Sequence, residues 1–381
     1  MLICQSCGEN IPEEKLFRRC PCGGILNCDN ARFVFSPDAS LPGIWRYASS
    51  LPVSAPMGRV TLGEGMTPLT LCPWEYEGQT ARVFCKFDAL SPTGSYKDRG
   101  IAVVISRLKE LGVTRIVEDS SGNAGAAMAA YAAAAGIACD IFVPASASEG
   151  KCMQIAAYGA TLHRIPGPRE ATTAAAEEAA KTVYYASHNW SPYFPEGIKT
   201  YAFEIFEQLG STLPDNIVVP VGQGSLVNGA WRGFSEILHA RGTAAGRMPR
   251  IFGVQSANCA PLYAAWQQGE SEPRSIAATA TMAEGIASAV PVRGAETIAS
   301  IRESHGAFIT TSEKEIWSAF QFFARKGFYV EPTSAAALAG VTKLFAQGLI
   351  LPHETTVVLL SGSGLKATDK ILQYTENPPR A

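Results

Sequence analysis

The chain has 381 residues, of which 47% are hydrophobic and 17% are charged, a composition typical of a globular protein with room for two domains. Its formal net charge of −2 gives no basic field, so the sequence predicts no binding to nucleic acid or to an anionic membrane surface. No apolar run could span a bilayer, and the first residues lack the basic and apolar regions of a signal peptide, so we expect a cytoplasmic protein.

The N-terminal segment is rich in cysteine, with five of the ten cysteines in the first 28 residues. They form a Cys-x2-Cys pair and a Cys-x-Cys pair, with one more cysteine behind: Cys4, Cys7, Cys20, Cys22 and Cys28. Two such pairs are typical of a zinc ribbon, in which two turns present four thiolates to a structural zinc ion. We therefore expect the first four to bind zinc. The second pair is one residue shorter than the usual Cys-x2-Cys, so two alternatives stay open. Cys28 could replace one of the four ligands, or the ribbon could fold without metal.

The other cysteines are scattered through apolar stretches. Free cysteine behaves as a small hydrophobic residue in protein cores. Because nothing indicates a secretory context, the sequence predicts reduced thiols rather than disulfides. These expected core cysteines are Cys72, Cys85, Cys139, Cys152 and Cys259.

Strands and helices alternate from about residue 82. Apolar, β-branched runs predict strands at 82–87, 115–119, 139–144, 161–165, 183–187, 216–221, 251–255 and 355–360. Helical patterns between them include an Ala-rich segment that Gly136 should cap. This alternation predicts an α/β fold with mostly parallel sheets and helices on both faces.

Residues 91–100 place a single lysine behind a Pro/Gly turn, where a helix should begin. Ser95 is a suitable N-cap, and Asp98 is three residues further on, as in a capping box. Lys97 would then lie in the first helical turn. The positive end of the helix dipole disfavours an ammonium there and so favours the free amine. A free lysine amine can form a Schiff base with a carbonyl compound.

Three polar loops follow predicted strands, at the strand ends where ligands bind in open α/β sheets. Residues 222–229 are glycine-rich and lead into a helix, which favours phosphate binding. Residues 120–123 offer hydroxyls, backbone N–H groups and an amide at a helix start, which suit a carboxylate and an anionic ring oxygen. Residues 361–364 offer a hydroxyl for a heterocyclic nitrogen. Together with the lysine, these groups match those that pyridoxal phosphate presents.

The chain resembles the fold-type II (tryptophan synthase β-like) pyridoxal-phosphate enzymes, and within them most closely the threonine synthases. The family's Pro-Thr-Gly-Ser-Phe-Lys-Asp-Arg-Gly motif is matched at 92–100, with Tyr96 in place of Phe. Its Ser-Gly-Asn, Pro-Tyr-x-x-Glu-Gly-x-Lys-Thr and Glu-Pro-x-Ser-Ala-Ala motifs are matched at 121–123, 192–200 and 331–336. The cysteine-bearing N-terminal lobe also recurs in part of that family.

The resemblance implies a role for each motif residue. Lys97 would form the Schiff base with the cofactor and move protons, Asn123 would bond the ring oxygen, and Ser361 would face the pyridine nitrogen. The phosphate would be held by Gly222, Gln223, Gly224, Ser225 and Leu226. The substrate carboxylate would contact Ser120, Ser121 and Gly122, and its side chain would contact Thr93 and Ser95. Apart from the resemblance, we also expect Lys151 and Lys199 to contact the substrate.

The resemblance also implies two open, twisted, mostly parallel sheets and a homodimer. We expect a zinc-ribbon-like lobe at 1–30, a large domain formed by 31–88 and 201–381, and a small mobile domain at 89–200.

Several positions depart from the threonine synthase pattern. Ser191 and Phe194 stand where Asn and Arg are usual, and residues 282–287 look more like those of serine/threonine dehydratases. Lys151, Lys199 and His188 could compensate for the missing arginine as phosphate-binding groups. The expected activity is threonine synthesis from O-phosphohomoserine. Two alternatives stay open. The chain could be a dehydratase or an O-phosphoserine-type β-replacement enzyme with the same fold and cofactor, or a non-catalytic protein that keeps the fold.

Overall fold

The computed structural model describes residues 1–72, 74–147 and 149–379, apart from the side chains of residues 32, 151 and 243. The strands are β1 (Leu2–Cys4), β2 (Asn10–Ile11), β3 (Leu26–Cys28), β4 (Leu69–Leu71), β5 (Trp74–Tyr76), β6 (Gln79–Ala81), β7 (Val83–Lys86), β8 (Arg115–Glu118), β9 (Ala138–Pro144), β10 (Thr161–Ile165), β11 (Tyr184–Tyr185), β12 (Asn216–Pro220), β13 (Arg250–Ser256), β14 (Ala307–Thr311) and β15 (Thr356–Leu359).

The α-helices complete the alternation. They are α1 (Lys97–Glu110), α2 (Asn123–Ala135), α3 (Glu149–Ala157), α4 (Arg169–Ala179), α5 (Phe194–Ile198), α6 (Thr200–Gln208), α7 (Ser225–Arg241), α8 (Pro261–Gln267), α9 (Gly294–Glu303), α10 (Glu313–Ala324), α11 (Pro332–Ala346) and α12 (Thr368–Glu376). Gly136 ends α2 in the left-handed conformation at φ 71°, as predicted.

The chain divides into two compact units, the first of which comprises residues 1–65, 91–93 and 97–198. Its four-stranded sheet has the order β10-β9-β8-β11, and every neighbouring pair is parallel. Helices α1 and α2 pack on each other, and α2 and α4 pack on β9. At the N-terminus, β1 pairs antiparallel with both β2 and β3.

The second unit comprises residues 66–90, 94–96 and 199–381. Its six-stranded sheet has the order β14-β13-β12-β15-β7-β4, and only the β4–β7 pair is antiparallel. Every residue of β12 and β15 is buried, as expected for central parallel strands covered on both faces. The predicted parallel α/β architecture is therefore confirmed in each unit.

The structure differs from the sequence-based expectations at two places. Residues 31–65 group with the first unit, whereas the sequence assigned 31–88 to the larger domain. Cys72 and Cys85 form a disulfide, so the prediction of a reduced thiol is wrong for this pair. The cause is the antiparallel pairing of β4 with β7, which continues past the end of β4, because the Cys72 N–H donates to Val83 O at 2.7 Å. This pairing places the two cysteine Cα atoms 6.0 Å apart, a distance that a disulfide can span.

Within residues 1–72, 74–147 and 149–379, no helix combines the length and the apolar character needed to cross a membrane.

Candidate active site

The predicted lysine helix is present and begins at Lys97. The predicted capping box between Ser95 and Asp98 is wrong. The Asp98 carboxylate instead accepts hydrogen bonds from the backbone N–H of Thr93, at 2.7 Å, and from its hydroxyl. Gly94, at φ 87°, provides the turn between them. The buried Ser95 hydroxyl has no hydrogen-bond partner in the described part of the chain.

An aromatic ring lies beside the lysine amine. Lys97 Nζ is 5.2 Å from the centroid of the Phe194 ring, which also packs edge-on against His188 at 5.4 Å. Only glycine fits at position 100, because a Cβ there would overlap the Phe194 ring. At position 194, where the threonine synthase pattern has arginine, this chain therefore has an apolar ring that lies beside Lys97.

A buried histidine–glutamate pair lies near the same lysine. His188 Nδ1 is 3.2 Å from Glu118 Oε1, and the His188 N–H donates to Glu118 Oε2 at 3.2 Å. Burial and the positive charge of Lys97 hold the pKa of His188 well below its ordinary value. Burial and the neighbouring Asp119 raise the pKa of Glu118 well above its ordinary value. His188 is therefore neutral, which disfavours the expected role in phosphate binding.

The loop at residues 120–123 connects β8 to α2, as predicted. Its residues are half-buried, and the Gly122 N–H lies 3.4 Å from Ser120 Oγ, which accepts its hydrogen bond. A Cβ at Gly125 would overlap Ser120 O, so this glycine lets α2 approach the loop closely. The loop places hydroxyls and helix N-terminal N–H groups at the carboxyl end of β8, an arrangement suited to binding a carboxylate.

In the second unit, the glycine-rich loop connects β12 to α7, as predicted. Gly224 has a φ of 88°, and a Cβ there would overlap the Thr297 side chain. The Gln223 amide donates to Ser288 Oγ at 2.7 Å and accepts from the Val292 N–H at 2.8 Å. The Gln223 side chain therefore stabilises the loop that contains Ser288 and Val292. The backbone of Gln223 is then the group available to a ligand.

Two polar groups of this loop region were not predicted from the sequence. Tyr96 Oη and Ser225 Oγ share a hydrogen bond at 2.9 Å. Asn228, in the first turns of α7, is fully buried, and neither its amide nitrogen nor its amide oxygen has a partner in the described part of the chain. A buried amide without partners is costly. The observation fits a polar ligand at the start of α7, where helix N–H groups favour an anion.

The last predicted site hydroxyl, Ser361, follows β15 and is fully buried. It donates to Glu331 Oε1 at 3.1 Å and lies 3.1 Å from Ser334 Oγ. Residues 331–336 match a family motif, but their contact with Ser361 could not be predicted from the sequence. The structure brings Glu331 and Ser334 to Ser361 because α11 begins beside the end of β15.

Two predicted substrate-binding residues have other partners. Lys199 is fully buried, and its ammonium forms an ion pair with Glu236. Thr93 is occupied with Asp98 through both its N–H and its hydroxyl. Lys151 lies in α3, but its side chain is outside the described part of the chain.

Comparisons with known proteins agree with this architecture. Residues 60–362 match the family described as pyridoxal-phosphate dependent enzyme. The threonine synthase of Methanocaldococcus jannaschii is 32% identical over 386 residues, which cover 98% of this chain and 95% of that protein. The threonine synthase of a Synechocystis species is 36% identical over 349 residues, which cover 88% of this chain and 86% of that protein. The solved threonine deaminase isoform 2 from Solanum lycopersicum aligns with a TM-score of 0.70 at 19% identity, covering 92% of this chain and 98% of that one, which confirms the fold class.

Proposed function

The chain belongs to the pyridoxal-phosphate dependent enzyme family, and we propose that it is a threonine synthase, which converts O-phosphohomoserine and water to threonine and phosphate. The observation that carries this proposal is the likeness to threonine synthases at 32–36% identity over most of the chain. Solved structures with other activities, such as a serine racemase at 21% identity, support the fold alone.

The residues present fit pyridoxal phosphate in each unit. In the second unit, the glycine-rich loop 222–226, the start of α7 and the unpartnered Asn228 amide suit a phosphate. Ser361 in the same unit would contact the pyridine nitrogen. In the first unit, Lys97 would hold the cofactor aldehyde and Asn123 would donate to the ring oxygen. Bound pyridoxal phosphate supplies an electron sink for the charge that develops when an amino acid loses its α-proton.

The chain's own groups around Lys97 suit proton transfer. The amine of Lys97 would take up the α-proton as a general base, since a lysine amine accepts a proton only when it is uncharged. The Phe194 ring at 5.2 Å gives this amine an apolar neighbour, and the neutral His188 adds no competing charge. Ser120, Ser121 and Gly122 would hold the substrate carboxylate with hydroxyl and N–H groups.

The substrate phosphate needs a cation or several donors. His188 is neutral, and Lys199 is paired with Glu236, so the structure supports neither as the phosphate-binding group. We propose Lys151 for this role, because it is the remaining cation among the residues expected to compensate for the arginine that Phe194 replaces.

Product analysis tests the proposed activity. Purified protein loaded with pyridoxal phosphate is given O-phosphohomoserine, threonine, serine or O-phosphoserine in separate reactions. We expect threonine and phosphate in equal amounts from O-phosphohomoserine. A 2-oxo acid formed from threonine or serine would identify a dehydratase. Phosphate release from O-phosphoserine that requires an added nucleophile such as sulfite, with a new β-substituted amino acid as the product, would identify a β-replacement enzyme. Cofactor binding with no product from any substrate would support a non-catalytic protein.

We further propose that the protein is a homodimer, as the resemblance implies, and that it works in the cytoplasm. Light scattering on the purified protein should give twice the chain mass of 40.5 kDa.

A further inference from the structure

The four cysteines of the two N-terminal pairs converge on one point, independently of the proposed activity. The Sγ atoms of Cys4, Cys7, Cys20 and Cys22 all lie within 4.8 Å of one another. Three of the separations are 3.6 Å for Cys4–Cys22, 3.7 Å for Cys7–Cys20 and 3.6 Å for Cys7–Cys22.

These separations distinguish between a metal site and disulfides. A disulfide needs about 2.05 Å between its sulfur atoms. Four sulfurs bound at about 2.3 Å to a tetrahedral zinc ion lie about 3.8 Å apart. The observed values of 3.6–3.7 Å match the tetrahedral edge. The remaining separations are also no longer than 4.8 Å, as in a closed shell of four ligands.

The backbone around the four thiols has the tight turns that such a site needs. Gly8 and Gly23 follow the two cysteine pairs with φ values of 74° and 88°, and the Gly8 and Gly23 N–H groups donate to Cys4 O and Cys20 O. A Cβ at Gly24 would lie 2.7 Å from Cys4 Sγ. The glycines therefore let the two turns close around the sulfurs.

We propose that Cys4, Cys7, Cys20 and Cys22 bind one structural zinc ion that holds residues 1–28 as a rigid lobe against the lysine-bearing helix α1. Four thiolates leave no open coordination position, so this zinc has no catalytic role. The three-stranded sheet β2-β1-β3 has too few residues for a core, so the metal supplies the folding energy of the lobe.

The contacts of the lobe within the first unit define what the metal holds in place. Glu13, which is 4% exposed, pairs with Arg107 of α1 at 2.9 Å. Arg18 pairs with Glu177 of α4 at 2.8 Å. The lobe thereby contacts both α1 and α4 of the same unit, and losing the metal would loosen both contacts.

Cys28 lies outside this group of four thiols, which disfavours the alternative, left open by the sequence, that it is a replacement ligand. Its Sγ donates to Pro192 O at 3.5 Å, because β3 directs it toward the 184–193 segment. This makes Cys28→Ser a matched control, since it removes a thiol from the same lobe and leaves the four ligands in place.

Metal analysis of untagged full-length protein, purified without chelator, tests the site. We expect one zinc per chain in the wild type and in Cys28→Ser, and loss of zinc in Cys22→Ser, whose thiol is exposed. Exchange of zinc for Co²⁺ should give the thiolate charge-transfer and visible bands of tetrahedral cobalt. Folded wild-type protein with neither zinc nor cobalt uptake would overturn the proposal, as would disulfides among the four cysteines. The wild-type measurements decide the matter even if Cys22→Ser fails to fold.

Hydrogen exchange tests the second half of the proposal. Removing zinc with a chelator should increase exchange in residues 1–28 and in the part of α1 around Arg107, and should lower Tm by several degrees. Unchanged exchange in α1 after zinc removal would overturn the role in holding the lobe against that helix.

Discussion

At the residue scale, each unit holds candidate site residues that the sequence identifies and partners of these residues that only the fold reveals. Lys97 could be identified because a single lysine follows a Pro/Gly turn in front of a helical pattern. Phe194 and His188 lie 97 and 91 residues further along the chain. The resemblance drew attention to both, but no local pattern could predict that they lie beside Lys97. Glu331 was visible as part of a motif, but its hydrogen bond with Ser361 depends on the pairing of distant segments.

The Tyr96 hydroxyl is a feature of this chain, since the family motif has Phe at that position. Replacing it by Phe removes the 2.9 Å hydrogen bond to Ser225 in the glycine-rich loop. A hydrogen bond contributes about 1 kcal/mol, so we expect the Kd for pyridoxal phosphate to rise roughly fivefold in Tyr96→Phe. Fluorescence titration of the apoprotein measures this Kd, with Tyr374→Phe as the control. An unchanged Kd in Tyr96→Phe would show that this hydroxyl does not position the loop.

The His188–Glu118 pair should make stability depend on pH. The pKa of His188 is lowered by burial and by Lys97, so the unfolded chain takes up a proton below about pH 6.5 that the folded state does not. The stabilising effect of the neutral imidazole is therefore present above pH 6.5 and is lost as the pH falls toward the lowered pKa. The neutral variant His188→Gln keeps a hydrogen-bonding side chain beside Glu118 and removes this titration.

Urea unfolding of both proteins between pH 5 and pH 8 measures the difference. The free energy of unfolding of the wild type should fall below pH 6.5 relative to His188→Gln, by up to about 1.4 kcal/mol per pH unit. Parallel pH profiles would mean that His188 titrates normally in the folded protein.

At the element scale, strand positions were predictable and helix termini were less so. The predicted strand at 161–165 coincides with β10, whereas the run at 183–187 yields only the two residues of β11. A short run of apolar and β-branched residues between turn signals predicts that a strand is present, but it does not fix where the strand begins and ends. The N-terminus of α1 was placed well, but its cap was not, because Asp98 had two acceptable partners and the turn at Gly94 selects Thr93.

The start of α7 depends on a glycine in the left-handed region. We expect Gly224→Ala to destabilise the protein by about 1–3 kcal/mol more than Gly269→Ala, and to weaken pyridoxal phosphate binding. Both glycines have positive φ, at 88° and 75°, but only at Gly224 would a Cβ overlap another side chain, that of Thr297. Thermal unfolding and cofactor titration of the two variants separate this overlap from backbone strain. Equal destabilisation by Gly224→Ala and Gly269→Ala would show that backbone strain alone, without the overlap with Thr297, accounts for the loss of stability.

At the scale of the whole molecule, the α/β class and its parallel sheets followed from the alternation of strands and helices. The grouping of residues 31–65 did not, because this segment has no periodic pattern and is fixed by distant hydrogen bonds. The Val60 N–H donates to Ser106 Oγ at 2.8 Å, and the Ala55 N–H donates to Glu110 Oε1 at 2.6 Å. Both acceptors belong to α1, so the irregular segment is attached to the lysine helix.

Borohydride reduction of the cofactor-loaded protein, followed by peptide mass spectrometry, tests most directly whether Lys97 is the residue that binds pyridoxal phosphate covalently. The account predicts a pyridoxyl group on Lys97 in the wild type and no stable label in Lys97→Ala. A label on another lysine, or folded wild-type protein that takes up pyridoxal phosphate without any label on Lys97, would contradict it.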